Sequence, residues 1–457
     1  MGLTRSDLKQ RFVHAAGWTV AGHALAQVLR FASNLVLTRL LAPDMFGVMA
    51  VGYMVFTGLT MLSDMGTFGL VSQSQRGEEP QFLNVIWVTQ IVRGFLLMAI
   101  ALCLGLTIGL DSVRALFPAH SVYADPRIPS LIAVLSLNCV ISGLGSTKIW
   151  YLLRNMRLVH LTRLDLASQV ATTVFIIVWA LISPSIWALV GGWSLGMLVR
   201  TALSHLILPG PSNRLEWEAS AFREIIVFGK WAMVSSLIAF ALGSGDRILL
   251  GGYLDANDLG FYSIALLLVT ALQDVVMKVT GVAALPALSE VIRERPEDLK
   301  KVIYRLRRLL DAACIVPAGV LFVLGADVIG ILYDSRYAAA GWMLSVLSFT
   351  LISASFNVFD QCLVALGRMK VLSALNAARL VTLYLFVSAG YALYGTRGAI
   401  VALPCASLFS TGILLAVQAR LGLVDVKREL LGVPLFVSGL LVGLAVRTVL
   451  HWLGVPV

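Results

Sequence analysis

Long apolar runs, separated by short polar turns, fill this chain from end to end. A helical span needs about twenty residues to cross a bilayer. About thirteen runs meet that length, at approximately 15–41, 45–72, 82–109, 129–152, 159–183, 186–208, 222–250, 258–289, 309–332, 339–366, 371–394, 397–419 and 432–454. The pattern predicts an all-α polytopic membrane protein, with no soluble domain between the spans. The order also repeats. Displaced by 213 positions, Trp231 falls on Trp18, Ala239 on Ala26, Leu242 on Leu29, Leu250 on Leu37, Leu254 on Leu41, Gly260 on Gly47 and Thr270 on Thr57. The Trp and Gly matches carry most of the weight in so apolar a sequence, and duplicated halves in a membrane chain point to a transporter with its site between them. The expected division is 1–208 for one six-helix lobe, 209–420 for a second, and 421–457 for an extra hydrophobic segment. That last segment is expected either to cross the membrane or to fold back as a hairpin at Gly443.

Polar residues inside the spans recur at helical spacing. His23, Gln27, Arg30, Asn34 and Thr38 share one face of the first span, and Tyr53, Thr57, Thr60, Asp64 and Thr67 share one face of the second. Thr270, Asp274 and Lys278 follow in the eighth, Ser353, Asn357 and Asp360 in the tenth, and Asn376 with Arg379 in the eleventh. A charge at the centre of a lipid-exposed helix costs roughly 2.5–3.5 kcal/mol, so these faces should meet protein or water. Bland alternatives stand beside this one. Asp274 and Lys278 can neutralise each other across one turn. Hydroxyl stripes can be packing faces. Lys148, Arg163, Arg200 and Lys230 can snorkel to a membrane surface. Asp246 and Arg247, adjacent near the outer end of their span, can anchor or gate.

Composition agrees with the pattern: 58% of residues are hydrophobic and 13% charged, with a mean hydropathy of +0.87, against roughly 25% charged in soluble proteins. The net charge of +10 would suit nucleic acid, but the basic residues sit in alternate short loops, so no nucleic-acid partner is expected. With the N-terminus cytoplasmic, the inside segments hold nineteen Lys and Arg and the outside loops four, Arg114, Arg127, Arg336 and Arg397; the charge bias sets that orientation. Both halves then start from the cytoplasm, so the repeat is parallel. The first run is too long for a signal-peptide core and is expected to remain as a helix. The basic stretch 291–308 reads as an amphipathic helix on the anionic inner leaflet or as a recruiter of polyanionic head groups.

The five cysteines, Cys103, Cys139, Cys314, Cys362 and Cys405, lie singly in apolar runs, without metal-ligand spacing. No metal and no cofactor are expected. The external loops contain no nucleophile–base pair and no phosphate-binding Gly loop, which argues against a membrane-embedded glycan polymerase or ligase. Basic groups within the spans argue against a small-molecule antiporter, whose cavity would be more apolar or acidic.

Several short motifs resemble a family. Thr38-Arg39-Leu40-Leu41-Ala42-Pro43-Asp44-Met45-Phe46-Gly47, Ser63-Asp64-Met65-Gly66, Gly245-Asp246-Arg247-Ile248-Leu249-Leu250, Leu259-Gly260-Phe261-Tyr262 and Leu285-Pro286-Ala287-Leu288-Ser289 are similar to the polysaccharide-transport, Wzx-like branch of the multidrug/oligosaccharidyl-lipid/polysaccharide (MOP) flippase superfamily. The likeness covers the first twelve spans. It implies two six-helix lobes around a central cavity that carries undecaprenyl-pyrophosphate-linked oligosaccharide from the inner to the outer leaflet of the cell inner membrane, with no covalent chemistry. It also implies the lipid-linked oligosaccharide, anionic membrane lipids and polysaccharide-assembly proteins as partners. The thirteenth run departs from it, because the family is usually described with an even number of spans. Combined with the polar faces, the reading gives ten candidate substrate-binding residues: Gln27, Arg30, Asn34, Asp64, Arg93, Arg247, Asp274, Lys278, Asp360 and Arg379.

Overall fold

The computed structural model describes residues 5–453, with the side chains of residues 22, 24–277, 280–281 and 284–453. The described residues are helical, with no strands among them. Among the described residues ten helices are long and apolar enough to cross a membrane, and the bent pair Ile128–Gly143 and Lys148–Arg154, at 58° to each other, gives an eleventh. The 52-residue element Met369–Arg420 is two helices merged across a kink, where Tyr394 and Gly395 leave helical geometry. Gly395 adopts φ +62, a left-handed conformation that a side chain would strain, so the expected separation of 371–394 from 397–419 falls at that residue. The first helix runs Arg5–Leu40.

The chain forms two compact units. One holds residues 1–119 and 123–241, the other 120–122 and 242–457, so the division falls inside the helix Ala219–Tyr253.

In the first unit, prolines at the first turns start the helices Pro43–Leu62, Pro80–Gly109 and Ile128–Gly143, where the missing N–H is not needed. Lipid tails are as apolar as leucine, so helices associate through close packing rather than through hydrophobic exclusion. Glycines supply it. A Cβ on Gly94 would lie 2.7 Å from the Cys139 carbonyl, and one on Gly143 would lie 2.6 Å from the Gln90 carbonyl, so these two helices meet backbone to backbone. The second span is not one straight helix: Pro43–Leu62 ends at Ser63, and Thr67–Gln73 restarts after Gly66 at φ +61. The extended stretch 207–218 is pinned by side chains. Asn213 bonds Ser146 and Thr147 at 2.6 and 2.5 Å, Asn84 bonds the Arg214 amide and Glu216 at 3.0 Å each, and Arg76 grips Glu218 with a fork of 3.1 and 2.7 Å.

In the second unit, Asp255 caps the helix Ala256–Val279 by accepting from the Asp258 amide at 2.7 Å. One π-helical turn, Thr280–Ala284, joins it to Leu285–Glu294. The run Ala340–Ala365 is broken into three short helices and is the inner span of this unit, half of its apolar window being buried, against 11% for Val426–Trp452.

Two expectations are corrected here. The last hydrophobic run is a single helix, Gly432–Trp452, with no hairpin at Gly443. Gly443 is a packing residue: with Gly439 it lets this helix lie against Leu299–Leu332, where added Cβ atoms would lie 3.0 Å from the Val323 side chain and 2.3 Å from the Val316 carbonyl. The basic stretch 291–308 is not one helix: Leu285–Glu294 ends before Pro296 and the rest enters Leu299–Leu332, where Arg307 is buried while Arg305 and Arg308 stay exposed.

Candidate functional site

Within the first unit, the helices Pro43–Leu62, Pro80–Gly109, Ile128–Gly143, Leu158–Ile182 and Ile186–Leu206 enclose a cavity of about 540 Å³. Its wall is amphipathic: Phe56 and Trp150 supply ring faces, Thr60, Gln90 and Ser204 supply hydrogen-bonding groups, and Arg93, Asp165 and Arg200 supply charge. Arg93 projects from Pro80–Gly109, and its Nη1 donates to the Ser63 carbonyl at 3.1 Å. That carbonyl is one of the orphan acceptors at the end of Pro43–Leu62, so the guanidinium caps the helix. Its Nε is buried with no hydrogen-bond partner. A donor left this way costs about 1–3 kcal/mol unless something occupies the site.

Asp64 lies one residue beyond that cap and within electrostatic range of Arg93. Its oxygens take the Gly66 amide at 2.9 Å and the Ser236 hydroxyl at 3.1 Å. Across the cavity, Arg200 donates to Asp165 from Nε and Nη2 at 3.2 and 3.0 Å. Both residues line the cavity, and both are exposed.

Arg93 and Gln90 also border a narrow hollow with Leu70 and Ile225, and Leu70 in turn lines an apolar groove of about 630 Å³ with Val227, Phe228 and Trp231. The three hollows share wall residues, but the middle one holds only about 10 Å³ and opens no path between the outer two.

The other expected residues are placed as follows. On Arg5–Leu40, Gln27 and Asn34 are half-buried and Arg30 is exposed; none of the three lines the cavity. In the second unit, the polar faces of the tenth and eleventh spans meet: Arg379 contacts both oxygens of Asp360 at 3.0 Å and donates to Asn376 at 3.1 Å. Arg247 is half-buried beside Asp246, which accepts a hydrogen bond from the buried Tyr262 hydroxyl. Asp274 is exposed, and the Lys278 side chain lies outside the described residues. Several hydroxyls of the predicted stripes bond their own helix instead, as with Thr60 to the Phe56 carbonyl at 3.0 Å and Thr270 to the Leu266 carbonyl at 2.8 Å. Sequence reasoning missed Asp165, although Thr162, Asp165, Gln169 and Thr172 form a polar face at steps of three and four. Among the described residues no His, Cys, Asp and Glu side chains cluster as a metal site.

A bundle of apolar helices with basic and hydroxyl groups turned inward defines a multi-span membrane protein with the fold of the MOP flippase superfamily. Among solved structures, the chain is similar to the lipid II flippase MurJ in an inward closed conformation (TM-score 0.72, 12% identity, 94% of this chain and 92% of that one). It is also similar to an inward-facing multidrug resistance MATE family transporter of the MOP superfamily (TM-score 0.58, 14% identity, 87% and 94%). Residues 36–342 match the polysaccharide biosynthesis protein family, and the chain belongs to it. A curated relative is the succinoglycan biosynthesis transport protein ExoT of Rhizobium meliloti (strain 1021), 22% identical over 333 residues, or 73% of this chain. The match spans 64% of that relative's length.

Proposed function

We propose that this protein is a flippase that carries an undecaprenyl-pyrophosphate-linked oligosaccharide from the inner to the outer leaflet of the cell inner membrane by alternating access. No covalent bond is made or broken. The observation that carries this reading is the cavity of about 540 Å³, whose largely apolar wall bears Arg93, Arg200, Asp165 and several hydroxyls, which suits an anionic, hydroxyl-rich head group. Family membership supports a glycan cargo, and a relative described as a succinoglycan biosynthesis transport protein supports transport rather than synthesis.

In this reading Arg93 meets the phosphate charge, and Arg200, Asp165 and the hydroxyls replace water around the sugar. Gln27, Arg30, Asn34, Asp64, Arg247, Asp274, Lys278, Asp360 and Arg379 remain proposed contacts along the route. The N-terminus is cytoplasmic, the two sequence halves 1–208 and 209–420 act as the lobes of a parallel repeat, and polysaccharide-assembly proteins and anionic lipids are partners. The MATE likeness also fits a small-molecule antiporter; the basic cavity favours the anionic cargo. In cells lacking the protein, the completed carrier-linked unit should accumulate in the inner leaflet while its assembly continues. Normal arrival in the outer leaflet, with polymerisation alone blocked, would replace the flippase reading with an enzymatic one.

A further inference from the structure

The last helix carries a charged group that neither the cavity nor the groove uses. Asp327, on Leu299–Leu332, is only 2% exposed, and a carboxylate so buried needs a countercharge. Arg447, on Gly432–Trp452, supplies it, with Nε 3.3 Å from Oδ2. The approach is too poorly aligned to be a hydrogen bond, and Oδ2 has none. Arg447 itself is 48% exposed. Its closest contact is through Nε, and among the described residues its Nη1 and Nη2 have no acceptor. Asp327 thus holds the root of the guanidinium and leaves the fork presented outward.

The surroundings give the depth. Leu444, Val446 and Val449 are exposed as a lipid-facing surface should be, and Trp452, 86% exposed, stands at the helix end, where tryptophan marks the membrane–water boundary. Arg447 precedes Trp452 by five residues, about 7–8 Å of helix, which puts its fork within reach of the headgroup layer. His451 follows one turn later on the same side. An arginine on a lipid-facing helix is sustained where its charge meets phosphate, and the planar fork fits two phosphate oxygens.

We propose that Arg447, positioned by Asp327, binds the phosphate of a lipid in the leaflet opposite the basic Lys427–Arg428 end of the last segment. On the orientation proposed above that is the outer leaflet; the binding itself does not depend on transport. A membrane phospholipid and the polyprenyl phosphate carrier share this chemistry.

The full-length protein would be purified in detergent, incubated with phosphatidylglycerol or with a polyprenyl phosphate, and its retained lipid counted by native mass spectrometry. Arg447→Gln should lower retention of at least one of the two lipids about tenfold, the loss expected for a charge-assisted contact, and Arg447→Lys should keep part of it. The lipid affected identifies the source. Because Arg447→Gln leaves Asp327 buried and unpaired, the double variant Asp327→Asn/Arg447→Gln serves as the folded control, and it should be equally deficient. A folded double variant that retains both lipids at the wild-type level overturns the proposal and leaves the pair a packing contact. The phosphatidylglycerol count, which the Arg93 cavity does not enter, separates failure of this proposal from failure of the transport reading.

Discussion

Arg307 and Glu429 form a deeply buried charge pair, with Arg307 Nη1 at 2.6 and 2.8 Å from the two carboxylate oxygens and only 3% of Arg307 exposed. The guanidinium also reaches Asp311 at 3.2 Å and lies 4.1 Å from the Phe356 ring centre. Tyr304 donates to the same Glu429 at 2.5 Å. The helix Leu299–Leu332 is thereby fastened to the short helix Val426–Glu429 at the entrance to the last span.

Removing one side of such a pair strands the other. Arg307→Ala should therefore lower stability by about 3–5 kcal/mol, while an uncharged pair, Arg307→Met with Glu429→Gln, should cost much less. Unfolding midpoints of the purified protein in detergent would check this; equal losses in both variants would show that aromatic packing, not charge, holds the contact.

In the cavity, Arg93→Ala should abolish most transport without preventing insertion, and Arg93→Lys should retain part of it, because charge survives but the fork does not. Arg30→Ala and Lys278→Ala should behave likewise if those cations also meet the cargo. Loss of folded protein with normal turnover by the remainder would make the residues structural.

Asp165→Asn and Arg200→Gln remove the two ends of the exposed pair on the cavity wall. An exposed pair contributes about 0–1 kcal/mol, so stability should barely change, whereas transport should fall several-fold in each. Unchanged transport in both variants would exclude the pair from the cargo's path.

Outside the membrane, Arg127 joins Asp44 at 2.6 Å and Asp125 at 2.8 Å. Partial burial pushes the Asp125 carboxyl upward, but hydrogen bonds from Arg127 outweigh it and hold the group below the usual carboxylate range. A lowered folded value means that the stabilisation is complete above the ordinary value near 3.9 and is lost as pH falls through the folded one. Wild-type protein should lose more thermal stability below about pH 4 than Asp125→Asn. Parallel pH profiles would count against the contact.

Much of this was legible in the sequence because membrane spans and polar faces leave periodic signals. Asp360 and Arg379 sit on polar faces of successive spans, and those faces meet. The breaks in the spans were not legible: the apolar run through Gly143 and Lys148 continues across a 58° bend, and hydropathy does not register bends. Nor were pairs set by packing between distant helices. Asp327 and Arg447 are 120 positions apart, and no period links them. Asp165 had a signal, the polar face of the fifth span, whereas Arg200, on the sixth, lies near a helix end where snorkelling is the simpler reading.

Topology carries its own check. Asn257→Cys should be labelled from outside and Asp298→Cys from the cytoplasm, as the distribution of lysine and arginine requires. The reverse labelling would invert the direction of transport.

The central claim is outward movement of an intact lipid-linked glycan, and purified protein in sealed vesicles tests it most directly. With the carrier-linked oligosaccharide loaded in one leaflet, wild-type protein should expose it on the opposite face, chemically unchanged, and Arg93→Ala should not. Exposure that is equal with and without protein, or a cargo that emerges cleaved or extended, would contradict the account.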